Sequence, residues 1–223
     1  LALLMRAGAL PAPLTVIEQR TVTAELGQDA VNAGSQATLY GAIGVVAFMA
    51  ESGTPMLAPV GTTAVVLPMD DKKRWVFKTT QNDALISDAI IAHMQKTGVK
   101  TVGFIGFNDP YGENWYQVFG AQAQKAGIRI VANERYLRSD GSVTGQVAKL
   151  MAAKPDAVLV AAAGGPTVLP HTTLVDAGYK GRIYQTHGAA SPAFLTMGGA
   201  KVEGAVLAGW AKRSYANCTL VAR

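Results

Sequence analysis

The stretch TVGFIGFNDPYGENW, Thr101–Trp115, decides the fold that the sequence predicts. Its first half, Thr101–Phe107, is a short apolar run with β-branched and aromatic residues, which is typical of a buried strand. Asn108 and Asp109 form a polar turn, and Asp109 followed by Pro110 suits the start of a helix. A strand that ends in a polar turn and opens a helix is half of a βαβ unit. Ligands bind at the carboxyl ends of such strands in open α/β sheets.

The chain around this stretch alternates between strands and helices from about residue 51 to residue 210. Turn residues separate apolar runs of strand length from helical patterns of about 10–15 residues, which is typical of a parallel sheet with helices on both faces. The expected strands are Pro55–Pro59, Arg74–Thr80, Val99–Phe107, Ile128–Ala132, Ala157–Ala162, Arg182–Gln185 and Ala205–Trp210. The expected helices are Asn82–Thr97, Tyr111–Gln124, Ser142–Ala153, Thr167–Ala177 and Ser191–Met197.

Composition and charge exclude several classes of protein. The 223 residues, of which 49% are hydrophobic, suffice for one or two domains with a core. The net charge of +5 is mildly basic, but lysines and arginines are scattered, which argues against nucleic-acid binding. The single cysteine, Cys218, excludes an internal disulfide and a multi-cysteine metal site. No signal peptide is expected in this sequence, and the apolar run Thr38–Ala50 is shorter than the roughly 20 residues that span a bilayer.

Motifs of the common enzyme chemistries are not found. The sequence has no dinucleotide-binding fingerprint, no P-loop and no nucleophile elbow. His93, His171 and His187 are not paired with carboxylates at metal-binding spacing. No catalytic residue, metal or cofactor is therefore predicted. What remains is a set of polar turns at strand carboxyl ends, which is typical of a small-molecule site. These turns are Thr62-Thr63, Asn108–Tyr111, Gly164-Gly165 and Thr186-His187.

The part of the chain from about residue 51 to residue 210 carries a resemblance to a known family. It includes the strings TPMLAPVGTT, WVFKTTQND, VGFIGFNDPYGENW, KPDAVLVAAAGGP, YQTHGAASPAF and VEGAVLAGW. These are similar to the periplasmic substrate-binding proteins of branched-chain amino-acid-type ABC transporters. The resemblance implies a type I periplasmic binding fold, in which two lobes close on a ligand by hinge motion. It also implies a flavodoxin-like α/β second lobe, a largely missing first lobe, a periplasmic location and ABC permease subunits as partners.

The same resemblance implies where a ligand would bind. Val60, Gly61 and Thr62 match the first-lobe loop that binds the ligand's carboxylate through backbone and hydroxyl groups. Tyr111 matches a tyrosine that covers the ligand from the second lobe.

Two further positions complete the implied cleft. Ala163 and Gly164 match another cleft loop, and His187 stands where amino-acid binders carry a glutamate that holds the ammonium group. A histidine cannot supply that negative charge and, when protonated, would repel an ammonium. We therefore expect a small organic acid or an amino-acid-like ligand, whose identity stays open.

The first fifty residues resemble a different family. RAGALPAPLTVIEQRTV (Arg6–Val22), ELGQDAVNAG (Glu25–Gly34) and the apolar run Thr38–Ala50 are similar to the SecD subunit of the bacterial protein-export channel. In that family such residues lead into a transmembrane helix. Here the chain turns instead to Glu51, so we expect a join near Ala50, from a chimaeric gene or assembly.

The resulting plan has four parts. They are a SecD-like segment with a truncated apolar helix (1–50), a remnant of the first lobe (51–74), the second lobe (75–210) and an unmatched tail (211–223). The expected function is an extracytoplasmic solute receptor, or a fragment of one, without enzymatic activity. Two alternatives stay open, namely a ligand-sensing regulatory domain of the same fold and a protein-translocase segment that rests on residues 1–50 alone. An oxidoreductase is disfavoured by the absent fingerprint.

Overall fold

The computed structural model describes residues 48–49, 51–58, 65–208 and 219–221. The predicted SecD-like segment therefore lies outside the described residues, apart from Phe48 and Met49. The strands are β1 (Met56–Ala58), β2 (Val76–Lys78), β3 (Thr101–Phe107), β4 (Arg129–Tyr136), β5 (Ala157–Ala161), β6 (Arg182–Gln185), β7 (Val206–Ala208) and β8 (Thr219–Val221). The α-helices are α1 (Asp83–Lys96), α2 (Pro110–Lys125), α3 (Thr144–Ala153), α4 (Val168–Asp176) and α5 (Pro192–Gly198).

Six of the described strands form one parallel sheet, in the order β4-β3-β5-β6-β7-β8. The chain passes from β3 outward to β4 and then returns to β5 on the other side of β3. The strand order therefore reverses between β3 and β5, and this switch point is where open α/β sheets form a ligand crevice. The flavodoxin-like parallel sheet that the sequence predicts is confirmed.

Helices cover both faces of this sheet. On one face, α1 and α2 bury Ile90 and Trp115 against Phe104 of β3. On the other face, α3 buries Leu150 against Phe107 of β3. Every residue of β3 after the first is buried, which explains why its sequence is apolar throughout rather than alternating.

The two remaining strands, β1 and β2, form a separate parallel sheet. Leu57 and Phe77 are register partners and face outward, with 70% and 52% of their surface exposed. Ala58 and Val76 are buried. Both strands are predicted from the sequence and are confirmed as shorter elements. The predicted lobe boundary at residue 75 stays a prediction, although β2, which directly follows it, pairs with β1 and not with the large sheet.

Two strands differ from the sequence patterns. β4 continues past Ala132 to Tyr136, because it pairs with β3 along its whole length. Thr219–Val221 forms β8 beside β7, in a tail for which no element is predicted. A run of three residues is too short for the alternating pattern of a strand to be recognised in the sequence. This strand forms because it pairs with the open edge of β7.

Candidate ligand-binding site

The turn after β3 is held by the side chain of Asp109. Its Oδ1 accepts hydrogen bonds from the backbone N–H groups of Tyr111 (2.9 Å) and Gly112 (3.0 Å), which caps the first turn of α2. Its Oδ2 accepts a hydrogen bond of 2.7 Å from Nε of Arg138, whose guanidinium lies 4.1 Å from the ring centroid of Phe107. These contacts fix Tyr111 at the start of α2.

Tyr111 joins the loops that follow three different strands. Its hydroxyl lies 3.1 Å from Oγ1 of Thr186, after β6, and 3.4 Å from the carbonyl oxygen of Ala162, after β5. Thr186 Oγ1 in turn donates to the same carbonyl over 3.0 Å. Burial raises the pKa of Tyr111 to about 12, so the phenol stays protonated at neutral pH. The predicted site residue Tyr111 therefore lies at the switch point and links its two sides.

Ala163 and Gly164 lie in the loop after β5, and a backbone hydrogen bond connects this loop to the one after β6. The N–H of Gly164 donates to the carbonyl oxygen of Gly188 over 2.9 Å. A Cβ on Gly188 would lie 2.4 Å from the carbonyl oxygen of Ala162, so only glycine permits this approach. The two predicted cleft loops are thus in direct contact.

His187 follows Thr186 and begins a 3-10 turn at the carboxyl end of β6. Its ring centroid lies 5.9 Å from that of Trp115. The Nδ1 atom is buried and has no hydrogen-bond partner among the described residues. Burial, aided by the positive charge of Lys78, lowers the pKa of His187 to about 4. The imidazole is therefore neutral at pH 7 and can donate one hydrogen bond.

Trp115 is a site neighbour that sequence reasoning missed. It is fully buried, and its ring centroid lies 6.4 Å from that of Tyr111. Its Nε1 makes no hydrogen bond within the described residues, although it lies near enough to the Tyr111 hydroxyl to oppose the effect of burial on the pKa of Tyr111. The spacing Tyr111–Trp115, four residues along a helix, is the signal that would have placed both on one face.

A buried carboxyl group beside α2 was also missed. Oδ2 of Asp83, the first residue of α1, accepts a hydrogen bond of 2.6 Å from Nδ2 of Asn114. Its Oδ1 has no partner in the described part of the chain. Burial raises the pKa of Asp83 to about 6, although the charge of Lys78 acts in the opposite direction. Asp83 ends the quoted string WVFKTTQND, but that string does not indicate its burial, which depends on how α1 packs against α2.

The other predicted site residues are not all placed. Val60, Gly61 and Thr62 lie outside the described residues. Of the two remaining histidines, His93 is within 3.0 Å of the Tyr184 hydroxyl, and Nδ1 of His171 is 3.3 Å from Nε2 of Gln185. Each therefore has a structural contact of its own. Among the described residues, no group of three or more His, Cys, Asp or Glu side chains is arranged to hold a metal ion.

Loops that meet at the switch point of a parallel sheet, with Tyr111 bonded across it, lie where open α/β sheets bind ligands. The periplasmic binding protein family model matches residues 19–218, and the chain belongs to this family. An extracellular ligand-binding receptor from Rhodopseudomonas palustris HaA2 is 47% identical with a TM-score of 0.70, and the match covers 74% of this chain and 45% of the receptor. The chain thus spans less than half the length of that receptor.

More distant structures share the fold. A branched-chain amino acid ABC transporter protein from Thermus thermophilus with bound valine is 16% identical with a TM-score of 0.67, over 74% of this chain and 43% of that one. A leucine binding protein from Thermotoga maritima is 20% identical with a TM-score of 0.65, over 74% of this chain and 46% of that one. At these identities the likeness shows the fold alone.

The similarity to SecD is confirmed over a short segment. Protein translocase subunit SecD from Syntrophobacter fumaroxidans is 53% identical over 49 residues, which are 22% of this chain and 9% of that protein. The SecD of Rhodobacter capsulatus is 56% identical over 52 residues, 23% of this chain and 9% of that protein. These matches support the interpretation of the chain as a chimaera. Within the described residues, none of the helices has the length and apolar character needed to cross a membrane.

Proposed function

We propose that this chain carries the ligand-facing second lobe of an extracytoplasmic solute receptor of an ABC importer. The observation that carries the proposal is the meeting of three loops at the switch point. There Tyr111 bonds to Thr186, and Nε1 of Trp115 and Nδ1 of His187 are buried without a hydrogen-bond partner among the described residues. Buried polar groups in native proteins are normally hydrogen-bonded, so unpaired groups at a predicted cleft favour a ligand that completes them.

The proposed ligand is a small organic acid, held between two lobes. The neutral His187 lacks the negative charge that would hold an ammonium group, whereas it can donate a hydrogen bond to an oxygen. A keto, hydroxyl or carboxylate oxygen suits such a donor. The first-lobe loop Val60–Thr62 would bind the ligand's carboxylate. We expect the partners of this receptor to be ABC permease subunits and its location to be the periplasm. Its proposed role is binding without catalysis.

The experiment is a titration of the 223-residue chain, followed by nuclear magnetic resonance. The probes are leucine and a panel of aliphatic and aromatic carboxylates. We expect the unmodified chain to bind one or more acids and to bind leucine weakly. His187→Glu should shift the preference towards leucine, while His93→Glu, which adds the same charge on α1, should leave it unchanged. Binding of leucine more tightly than every acid, or no binding at all, would contradict the proposal.

A second function has one observation in its favour. The similarity to SecD supports a protein-translocase origin for residues 1–50. Sequencing of the source DNA across Ala50–Glu51 tests it. A continuous reading frame with export genes beside it would favour a translocase role, and permease and ATPase genes would favour import. Neighbouring regulatory genes would instead favour the ligand-sensing domain.

A further inference from the structure

Lysines and arginines that are scattered along the sequence meet at one edge of the large sheet. In a parallel sheet covered by helices, each strand begins on the side where the preceding helix ends, so both kinds of terminus share an edge. We call this the amino edge, because it holds the amino ends of β3 to β7. Its exposed basic residues are Lys96, Lys100, Lys125, Arg129, Lys154, Lys180, Arg182 and Lys201.

Hydrogen bonds and strand pairing join these positions across the amino edge. The N–H of Arg129, the first residue of β4, donates to the carbonyl oxygen of Lys100 over 2.9 Å. The N–H of Lys100 in turn donates to Oδ2 of Asp156 over 2.9 Å. The next residue, Ala157, begins β5 and is the register partner of Arg182. Arg129 and Arg182 are thus three strand spacings apart on one edge, about 14 Å.

The basic residues of the amino edge are mostly without carboxylate partners. Among the described residues, Lys201 is the one of them that forms an ion pair, with Asp176 over 2.7 Å. Two further carboxylates lie at this edge, Asp156 and Glu203, and Asp156 accepts hydrogen bonds from backbone N–H groups. Away from the edge, by contrast, Arg135 and Lys149 are each paired with a glutamate. The amino edge therefore carries an excess of positive charge.

The helix dipole accounts for only part of this excess. Lys96 and Lys125 are the last residues of α1 and α2, and Lys154 follows α3, where the carbonyl ends of helices attract cations. The other unpaired cations begin strands or precede them closely; these are Lys100, Arg129, Lys180 and Arg182. Sheets have only small net dipoles, so this attraction does not explain them. Their charge is available to a partner.

The spread of these cations favours an extended anionic surface over a small anion. Arg129 and Arg182, about 14 Å apart, cannot contact one phosphate group together, but they can contact neighbouring headgroups of a lipid surface. A cluster of exposed lysines and arginines is attracted to anionic lipid in this way without a preformed pocket.

The same edge is poorly suited to nucleic acid. Its aromatic residue, Tyr179, is half-buried and donates a hydrogen bond to the carbonyl oxygen of Pro155 over 3.0 Å, so it is not free to stack on bases. α1 and α2 meet the edge with their carboxyl ends, and neither presents its length to a groove.

We propose that the amino edge binds the anionic phospholipid surface of a membrane. The ligand crevice lies at the opposite, carboxyl edge of the sheet, so a chain held in this way keeps the crevice facing away from the lipid. This interaction goes beyond the proposed receptor function. The choice of lipid among polyanions rests on the extracytoplasmic location that belongs to that function.

The test measures binding of the 223-residue chain to vesicles by co-sedimentation. One set of vesicles is pure phosphatidylcholine, which reports binding that does not depend on lipid charge. The other set contains about one third phosphatidylglycerol. We expect the anionic vesicles to bind the chain at least about tenfold more tightly, since each basic residue near an anionic surface contributes about fivefold. High salt should abolish the difference.

Matched double variants locate the binding surface. Lys180→Gln with Arg182→Gln should weaken binding to the anionic vesicles about twentyfold, because two charges are removed from the amino edge. Lys72→Gln with Lys149→Gln removes the same charge from exposed positions elsewhere and should have little effect. Lys180→Arg with Arg182→Lys keeps both charges and should keep the binding.

Three results would overturn the inference. They are equal binding to both kinds of vesicle, equal weakening by the two charge-removing variants, and binding of duplex DNA or polyglutamate without binding of anionic vesicles. The last would identify a nucleic acid or an acidic protein as the partner. Vesicle binding is measured without solute, so a chain that binds an organic acid but no vesicle refutes this inference alone. A chain that binds anionic vesicles but no acid refutes the proposed receptor function instead.

Discussion

β3 and β1 are both short apolar strands of parallel sheets, yet they differ in what covers them. β3 lies between β4 and β5, with helices over both faces, and Phe104 in its centre is 0% exposed. Among the described residues β1 has one neighbour, β2, and Leu57 in its centre is 70% exposed. A strand-like sequence thus predicts where a strand forms, but the number of neighbours decides how much it stabilises. A two-stranded sheet is marginal by itself.

The two sheets also differ in how their carboxyl ends are connected. At the large sheet, side chains and backbone groups of three loops bond to one another across the switch point. At the small sheet, the N–H of Thr79, just after β2, donates a hydrogen bond to the carbonyl oxygen of Ala58. Nζ of Lys78 donates to the carbonyl oxygen of Thr80 over 2.9 Å. The loops of the large sheet are thus cross-linked to one another, whereas the described contacts at the carboxyl end of the small sheet are few and local.

The largest expected effect is on the free energy of unfolding, when one phenylalanine in each sheet is replaced by alanine. Phe104→Ala should lower the free energy of unfolding by about 3–5 kcal/mol, because it leaves a cavity in the core between α2 and the sheet. Phe77→Ala should cost less than about 0.5 kcal/mol, because Phe77 is half exposed. Urea denaturation of both variants measures the difference. Equal losses of unfolding free energy in the two variants would show that Phe77 and the small sheet are covered in solution.

The next effect concerns two glycines of α2. A Cβ on Gly112 would lie 2.0 Å from the carbonyl oxygen of Phe107, so Gly112→Ala must displace the turn after β3. We expect a loss of about 2–3 kcal/mol. Gly120→Ala is the matched control, since its nearest atom, Cδ1 of Ile130, is 3.7 Å away, and alanine favours a helix by up to about 1 kcal/mol. The midpoint temperature of thermal unfolding should therefore fall in Gly112→Ala and rise in Gly120→Ala. A loss in both variants would contradict the packing described for α2.

The smallest effect is a pH dependence at the junction of the two sheets. The pKa of Asp83 is raised from 3.8 to about 6 in the folded chain, mainly by burial. The folded state therefore holds this proton more tightly than the unfolded state. The resulting stability is fully present below about pH 4 and is lost as the pH rises through about 6, on the order of 2 kcal/mol in total. Asp83→Asn should remove this contribution, as measured by denaturation at a series of pH values. An unchanged pH profile would show that Asp83 is not buried in solution.

Much of the fold could be predicted because its signals are local. The βα alternation, the cap at Asp109 and the glycines that end helices are each visible within a few residues. The turns that carry Tyr111, Gly164 and His187 could be named because they follow strands, whereas Ala163 and the binding roles of these residues came from the resemblance. The large sheet confirms the predicted architecture, and the contacts of Tyr111 show that these turns meet.

Other features of the site were decided only by the tertiary structure. The burial of Asp83 and the contact between Trp115 and His187 depend on which elements pack together, and no spacing in the sequence encodes that. The neutral state of His187 is a further example, since a histidine has a pKa of 6.5 until burial and a neighbouring lysine lower it to about 4. Strand and helix formation follow from short-range backbone preferences. Burial, charge and unpaired hydrogen-bonding groups arise only when distant segments exclude water from one another.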